Sequence, residues 1–322
     1  ILDLKATNRE FTIANLVDKV NGVSNKCTVQ QLFDIHIAQL RQQGRLKYAS
    51  TFKELNNSLV EFNHHLDILF SDINTTWLKK YETWLRSRGL AENSIGVRFR
   101  TFRAIYNRAI EDNIVKQEYY PFRSYKVAKL HTETIKRAIT KGEIEKIISY
   151  QSDNKYTRLA IDLFYFSYLC AGINFKDIAY LTRNNIVDNR LIYTRKKTKK
   201  LIKVPLQAKV LNIIQKYEGE ADMYLFPILS KMHETDIQQA NRLHKVMAKI
   251  NKNLKIIGKE LKLPISLTTY VARHTYATVL KRSGVNTSII SESLGHSSEK
   301  VTQIYLDSFE NSKIDEAMKN LL

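Results

Sequence analysis

Between Ala272 and Tyr305 the chain reads ARHTYATVLKRSGVNTSIISESLGHSSEKVTQIY, and helix signals start and stop in it repeatedly. Ala272 to Arg282 follows a helix pattern stopped by Gly284. Asn286 or Thr287 caps a short second helix that ends at Leu294, with Gly295 just past it. Ser297 or Ser298 caps a third. This punctuation places Arg273 in the first helix, His296 at the C-terminal turn of the second, and Tyr305 about two turns into the third.

The three side chains share a chemical use. An arginine grips two non-bridging phosphate oxygens. An imidazole hydrogen-bonds or shuttles a proton. A phenol attacks phosphorus and holds the strand covalently. Each also has a plainer reading. Tyr305, four residues after Val301 and four before Phe309, fits a core position on an apolar stripe. In combination and in this order, the phosphodiester reading is the stronger one.

Arg-His-Thr, then Leu-Gly-His-Ser, then a tyrosine nine residues after that histidine resembles the C-terminal signature of the tyrosine recombinases, the phage-integrase family. The wording YVARHT and GINF is most similar to integrases of Bacteroidetes mobile elements. The resemblance implies Tyr305 as nucleophile, with Arg273 and His296 around the scissile phosphate. Tyr270 stands where the family more often has histidine, and its hydroxyl can donate to a phosphate oxygen. His274 points to a different helical face and reads as structural. In GINFKD, Asn174 occupies the place of the family's first phosphate-clamping arginine, while Asp177 keeps the acidic place behind it. An amide supplies no charge, so another cation is expected to serve, Lys176 or a basic residue elsewhere. Counting back from Val204-Pro205-Leu206, Lys197 aligns with the hairpin lysine that acts as general acid toward the leaving 5′ oxygen. Four further lysines stand close to it.

Charge agrees with a polyanionic partner. Lys plus Arg number 51 against 32 Asp plus Glu, a formal net charge of +19. No apolar run approaches ~18 residues, so no membrane span is expected. Cys27 and Cys170 sit far apart in sequence, have no metal-ligand spacing, and suggest a reducing cytoplasm and an unstapled fold. With 4 prolines and 10 glycines in 322 residues, long helices are expected, and the length allows two domains.

Residues 1–26 show no strong pattern. By resemblance they are a remnant of a linker from an arm-binding domain. Residues 27–116 read as a bundle of four helices: one capped by Thr28 with Val29, Leu32, Phe33, Ile35 and Leu40 inward, one over Ser50–His64, one opened by Asp72 or Asn74, and one capped by Asn93 or Ser94. The bundle resembles the family's core-binding domain. On the fourth helix Phe99, Phe102, Tyr106 and Ala109 share one face. Arg100, Arg103 and Asn107 share a neighbouring one, with Arg98 and Arg108 close by. Such a stripe suits phosphates and guanine edges. Arg98, Arg100, Arg103 and Asn107, with Lys47 and Lys53, are the candidate DNA contacts. Residues 117–138 read as an extended basic linker with a reach of ~60 Å. Residues 139–322 form the candidate catalytic domain. It is opened by the Thr140–Glu143 capping box and holds a buried helix over Thr157–Ala171. A small antiparallel sheet turns at Asp188-Asn189 and at Lys196–Lys200, and an amphipathic helix over 310–321 closes the domain.

The expected fold is mainly α with a small antiparallel β-sheet, a two-domain clamp around DNA. The expected activity is site-specific recombination through a 3′-phosphotyrosine, without metal or cofactor. The expected partners are double-stranded DNA and copies of the chain itself, a tetramer in synapsis joined through the 310–321 helix. A type IB topoisomerase and a catalytically silent DNA-binding protein are the alternatives.

Overall fold

The computed structural model describes residues 27–132, 137–303 and 306. The chain divides into two compact units, residues 1–134 and 135–322. Among the described residues, no helix is long and apolar enough to cross a membrane.

The first unit holds α1 (Val29–Gln42), α2 (Leu46–Asn63), α3 (Thr75–Ser87) and α4 (Glu92–Glu111). Thr28 and Gln31 form a reciprocal capping box at the start of α1, and Asn74 Oδ1 accepts the Trp77 N–H at 2.9 Å at the start of α3. Two start points differ from expectation. α2 begins at Leu46 rather than Ser50. α4 begins at Glu92 after Ala91, which offers no side-chain cap. Asn93, expected as that cap, instead exchanges hydrogen bonds with the backbone of Thr132 at 2.7 and 3.2 Å. Ile35 is also corrected. It is 48% exposed, and Ile37 takes the inward place on α1.

The apolar face of α4 is the middle of this core. Phe99, Phe102, Tyr106 and Ala109 are all fully buried. The Tyr106 hydroxyl donates to the carbonyls of Phe70 and Tyr119 at 2.9 Å, so its one polar atom is satisfied.

The extended linker is overturned across most of its length. Residues 117–130 fold into three 3₁₀ turns, Gln117–Tyr119, Pro121–Arg123 and Val127–Leu130. Phe122, Tyr125, Val127 and Leu130 are buried in the first unit's core. Tyr125 stacks on Phe99 at 4.8 Å between ring centroids. Burying each such side chain is worth ~1.5–3 kcal/mol, enough to hold the segment against the entropy of a free tether. The ~60 Å reach therefore does not apply.

The second unit opens with α5 (Lys141–Ile148), capped by the Thr140–Glu143 box. α6 (Lys155–Leu169) follows, starting two residues before the expected Thr157 with Asn154 as its cap, and packs against α9 and α10. Its buried carboxylate, Asp162, accepts from Lys216 Nζ and Tyr217 Oη, each at 2.9 Å. After the short α7 (Phe175–Ile178) comes a three-stranded antiparallel meander, β1 (Ile186–Val187), β2 (Arg190–Thr194) and β3 (Leu201–Pro205). Asp188 and Asn189 both adopt positive φ, 48° and 56°, the backbone of a type I′ turn. Tyr193 faces Ile202 and Leu191 faces Val204, and all four are buried. α8 (Ala208–Gln215), α9 (Asp236–Glu260), α10 (Thr269–Arg282), α11 (Thr287–Ser293) and α12 (Glu299–Gln303) complete the described chain.

Candidate active site

Arg273 lies on α10 and is 2% exposed, among the largest fully buried side chains. Three of its N–H donors are anchored. Nη1 donates to the Gly172 carbonyl at 2.7 Å, and Nη2 donates to the Leu294 carbonyl at 2.5 Å and to His296 Nε2 at 3.0 Å. The guanidinium thus ties α10 to the loop before α7 and to the turn after α11. The close approach needs Gly172, whose φ is +63°. A Cβ there would stand 2.9 Å from Arg273 Cγ and 3.0 Å from its Cα.

His296 is 4% exposed. A guanidinium only donates, so Nε2 must accept from Arg273. The ring proton therefore sits on Nδ1, which donates to Thr302 Oγ1 at 2.9 Å. Burial pushes the His296 pKa down to about 3, helped by Arg273, Arg195, Lys197 and Lys200. At neutral pH the imidazole is uncharged.

The β2–β3 hairpin docks on the same turn. Arg195 Nη1 and Thr198 Oγ1 donate to the Gly295 carbonyl at 2.8 and 3.1 Å, and Lys200 Nζ donates to the His296 carbonyl. Gly295, with φ +62°, lets the strands approach, since a Cβ would meet Ile202 Cδ1 at 2.8 Å. Asp177, 5% exposed, holds the hairpin from the other side by accepting the Lys196 N–H at 2.9 Å. The five hairpin lysines are not equivalent. Lys196 Nζ sits over the Tyr180 ring at 4.1 Å, and Lys200 is bonded to His296. Lys197 is exposed yet close enough to lower the His296 pKa.

Asn174 is the residue before α7, half-buried, and its side chain makes no capping bond. Lys176 is exposed. Tyr270 is 42% exposed at the start of α10, its ring edge-on to His274 at 4.8 Å. Tyr305 and the 310–321 helix lie outside the described residues, as does the 1–26 segment.

Sequence reasoning passed over Thr302 and Arg195. Arg195 had a signal. Leu191, Tyr193 and Arg195 are spaced by two, the first two face the core, and strand alternation carries the third inward with them. Arg195 is 4% exposed.

In the first unit, Arg100, Arg103 and Asn107 are exposed on α4, and Lys47 and Lys53 are exposed on α2. Burial raises the Tyr120 pKa, and Arg103 and Asn107 oppose that shift. Arg98 is half-buried. Arg108 is engaged with Asp112 at 3.1 Å and with His36.

Residues 28–127 match the phage integrase SAM-like domain, and residues 137–312 match the phage integrase family. A tyrosine recombinase of Pseudothermotoga lettingae is 23% identical over 89% of this chain and 95% of its own length. The tyrosine recombinase XerC of Thermodesulfovibrio yellowstonii is 23% identical over 79% and 84%. Among solved structures, the Tn1549 transposon integrase in complex with circular intermediate DNA shares the fold at TM-score 0.63. Its identity is 18%, over 91% of this chain and 99% of that one. Lambda integrase as a dimer on a COC′ core site gives 0.59 at 16% identity, over 88% and 99%. With the second family match alone spanning more than half of its residues, this chain belongs to the phage integrase family, the tyrosine recombinases.

Proposed function

We propose that this chain recombines double-stranded DNA at specific sites through a 3′-phosphotyrosine on Tyr305. The observation that carries the reading is the mutual hydrogen bond of two buried groups, Arg273 and His296, with the basic hairpin docked on the same turn. The buried guanidinium, held in place by the neutral imidazole that accepts from it, is a preorganised donor for a phosphate whose charge builds in the transition state.

In this reading the Tyr305 oxygen bonds to phosphorus, its proton passing to solvent. The bond from phosphorus to the 5′ oxygen breaks, and Lys197 protonates that oxygen as it leaves. Arg273, which His296 holds in place, and the Tyr270 hydroxyl stabilise the pentacoordinate state. The 5′ hydroxyl of a partner strand then attacks and reseals, releasing Tyr305. The family's C-terminal signature and the GINF wording support a mobile-element integrase of the Bacteroidetes type. The family's DNA chemistry supports a cytoplasmic setting. Lambda integrase is known as a tetramer on a Holliday junction, which supports synapsis of four copies here, with the 310–321 helix as the docking element.

The test is a suicide substrate carrying a cognate attachment site, with a nick that traps the covalent intermediate. The native chain forms a protein–DNA adduct, and Tyr305→Phe binds the same DNA and forms none. An adduct from Tyr305→Phe would move the nucleophile elsewhere. The absence of any adduct from the native chain would favour a silent DNA-binding protein.

A further inference from the structure

We propose that Arg195 supplies the second phosphate-binding cation of this site, in place of the charge that Asn174 cannot provide. The inference rests on the recombinase reading above.

Arg195 is 4% exposed and comes from the hairpin, and it bonds the Gly295 carbonyl next to the Leu294 carbonyl that Arg273 holds. Its backbone is held on both sides, with its N–H donating to the Lys200 carbonyl at 2.8 Å and its carbonyl accepting from Lys199 at 2.9 Å. Its side chain is seated against Gly295, where an added Cβ would lie 3.3 Å from Arg195 Cδ. Nη1 is spent on the Gly295 carbonyl, but buried Nε has no hydrogen-bond partner. Among the described residues no carboxylate pairs with Arg195.

A buried guanidinium without a counter-ion is costly, so a protein keeps one where an anion completes it. Surface arginines of this chain have found carboxylates. Arg86 pairs with Glu82 and Glu92, and Arg183 with Glu218. Arg195 is withheld from them and bonded to the Gly295 carbonyl, one residue before the His296 whose ring Arg273 touches. Both guanidinium groups act on that ring and on the Tyr193 phenol, so their fields overlap. The anion that this reaction brings to the pair is the scissile phosphodiester. Lys176, the nearest cation to Asn174 in sequence, is exposed, whereas Arg195 is buried and lowers the His296 pKa.

A purely structural arginine would also be missed on removal, so the test reads charge. Single-turnover cleavage is measured on two suicide substrates, one with an ordinary scissile phosphate and one with an uncharged methylphosphonate there. The native chain is compared with Arg195→Lys and Arg195→Gln. Glutamine keeps a donor for the Gly295 carbonyl and loses the charge, and its melting temperature reports folding. On phosphate, Arg195→Gln falls about 100-fold or more, as when a preorganised donor is removed from a transition state, and Arg195→Lys falls less. On methylphosphonate, the gap between Arg195→Gln and the native chain closes to within about threefold, because no charge is left to neutralise. Asn174→Ala changes the phosphate rate by about tenfold at most, as for one neutral hydrogen bond. Equal losses on both substrates, or native-like cleavage of phosphate by Arg195→Gln, overturn the proposal while the recombinase reading stands. No adduct from the native chain on the phosphate substrate overturns both.

Discussion

The backbone N–H of Lys196 donates to Asp177 Oδ1 across 2.9 Å, linking the hairpin turn to α7. Lys196 is flanked by Arg195 and Lys197, so this one bond fixes where both basic side chains start. A hydrogen bond to a charged group contributes ~1.5–3 kcal/mol. Asp177→Ala is expected to lower stability by about that amount and to slow single-turnover cleavage at least tenfold. Asp177→Asn keeps an oxygen acceptor and recovers most of both. Equal losses in the two variants would mean that the carboxylate's charge, and not its acceptor geometry, is what matters.

Much of this arrangement was legible in the chain itself. Thr28, Thr140, Asn74 and Asn286 cap the helices that their side chains announced, because a cap is a local interaction within three residues. The fully buried stripe of α4 followed from helical period alone. The misreadings were long-range. Asn93 looks like a cap until Thr132, thirty-nine residues on, takes its amide. The segment after Lys116 looks like a linker because its aromatic residues bury only against partners elsewhere in the bundle, such as Phe99. Arg195 was masked by the lysine run beside it, which reads as a solvated turn, although its parity with Tyr193 points inward.

The contact between Gly172 and Arg273 can be tested against an internal control. Gly172 and Gly284 both adopt positive φ, 63° and 81°, but a Cβ at Gly284 would have nothing within 4 Å. Gly284→Ala should therefore cost only the left-handed backbone penalty, about 1–2 kcal/mol. Gly172→Ala adds a clash with Arg273, and a further ~1–3 kcal/mol is expected from overpacking, with loss of cleavage. Thermal denaturation of both variants measures the difference. Equal melting temperatures would show that the loop yields without moving Arg273.

Salt separates the arginines of α4. DNA binding should weaken steeply with salt, log K falling against log salt with a slope of roughly −5 to −9 if about six to ten phosphates are neutralised. Replacing the exposed Arg100 and Arg103 by Ala should flatten that slope by about 2. Arg108→Ala should leave the slope unchanged, because that side chain is committed to Asp112 and His36. An unchanged slope in the double variant would remove this face of α4 from the DNA interface.

His296 sets an acid limit on the fold. Its pKa is about 3 in the folded chain against an ordinary 6.5, so between those values the unfolded chain binds a proton that the folded chain refuses. Stability is then fully present above pH 6.5 and drains as the pH falls toward 3, by at most ~1.4 kcal/mol per pH unit for one proton. Protonation would also put a donor on Nε2 facing Arg273 Nη2, turning their hydrogen bond into a repulsion. His296→Gln has no such titration, and its amide can still accept from Arg273. The native chain should be the more stable at pH 7.5 and should lose that advantage progressively down to pH 4.5. Urea denaturation of both proteins across this range isolates the histidine, because the carboxylates titrate alike in the two. A constant stability difference across the range would mean that His296 keeps an ordinary pKa and enters the reaction as a cation below neutrality.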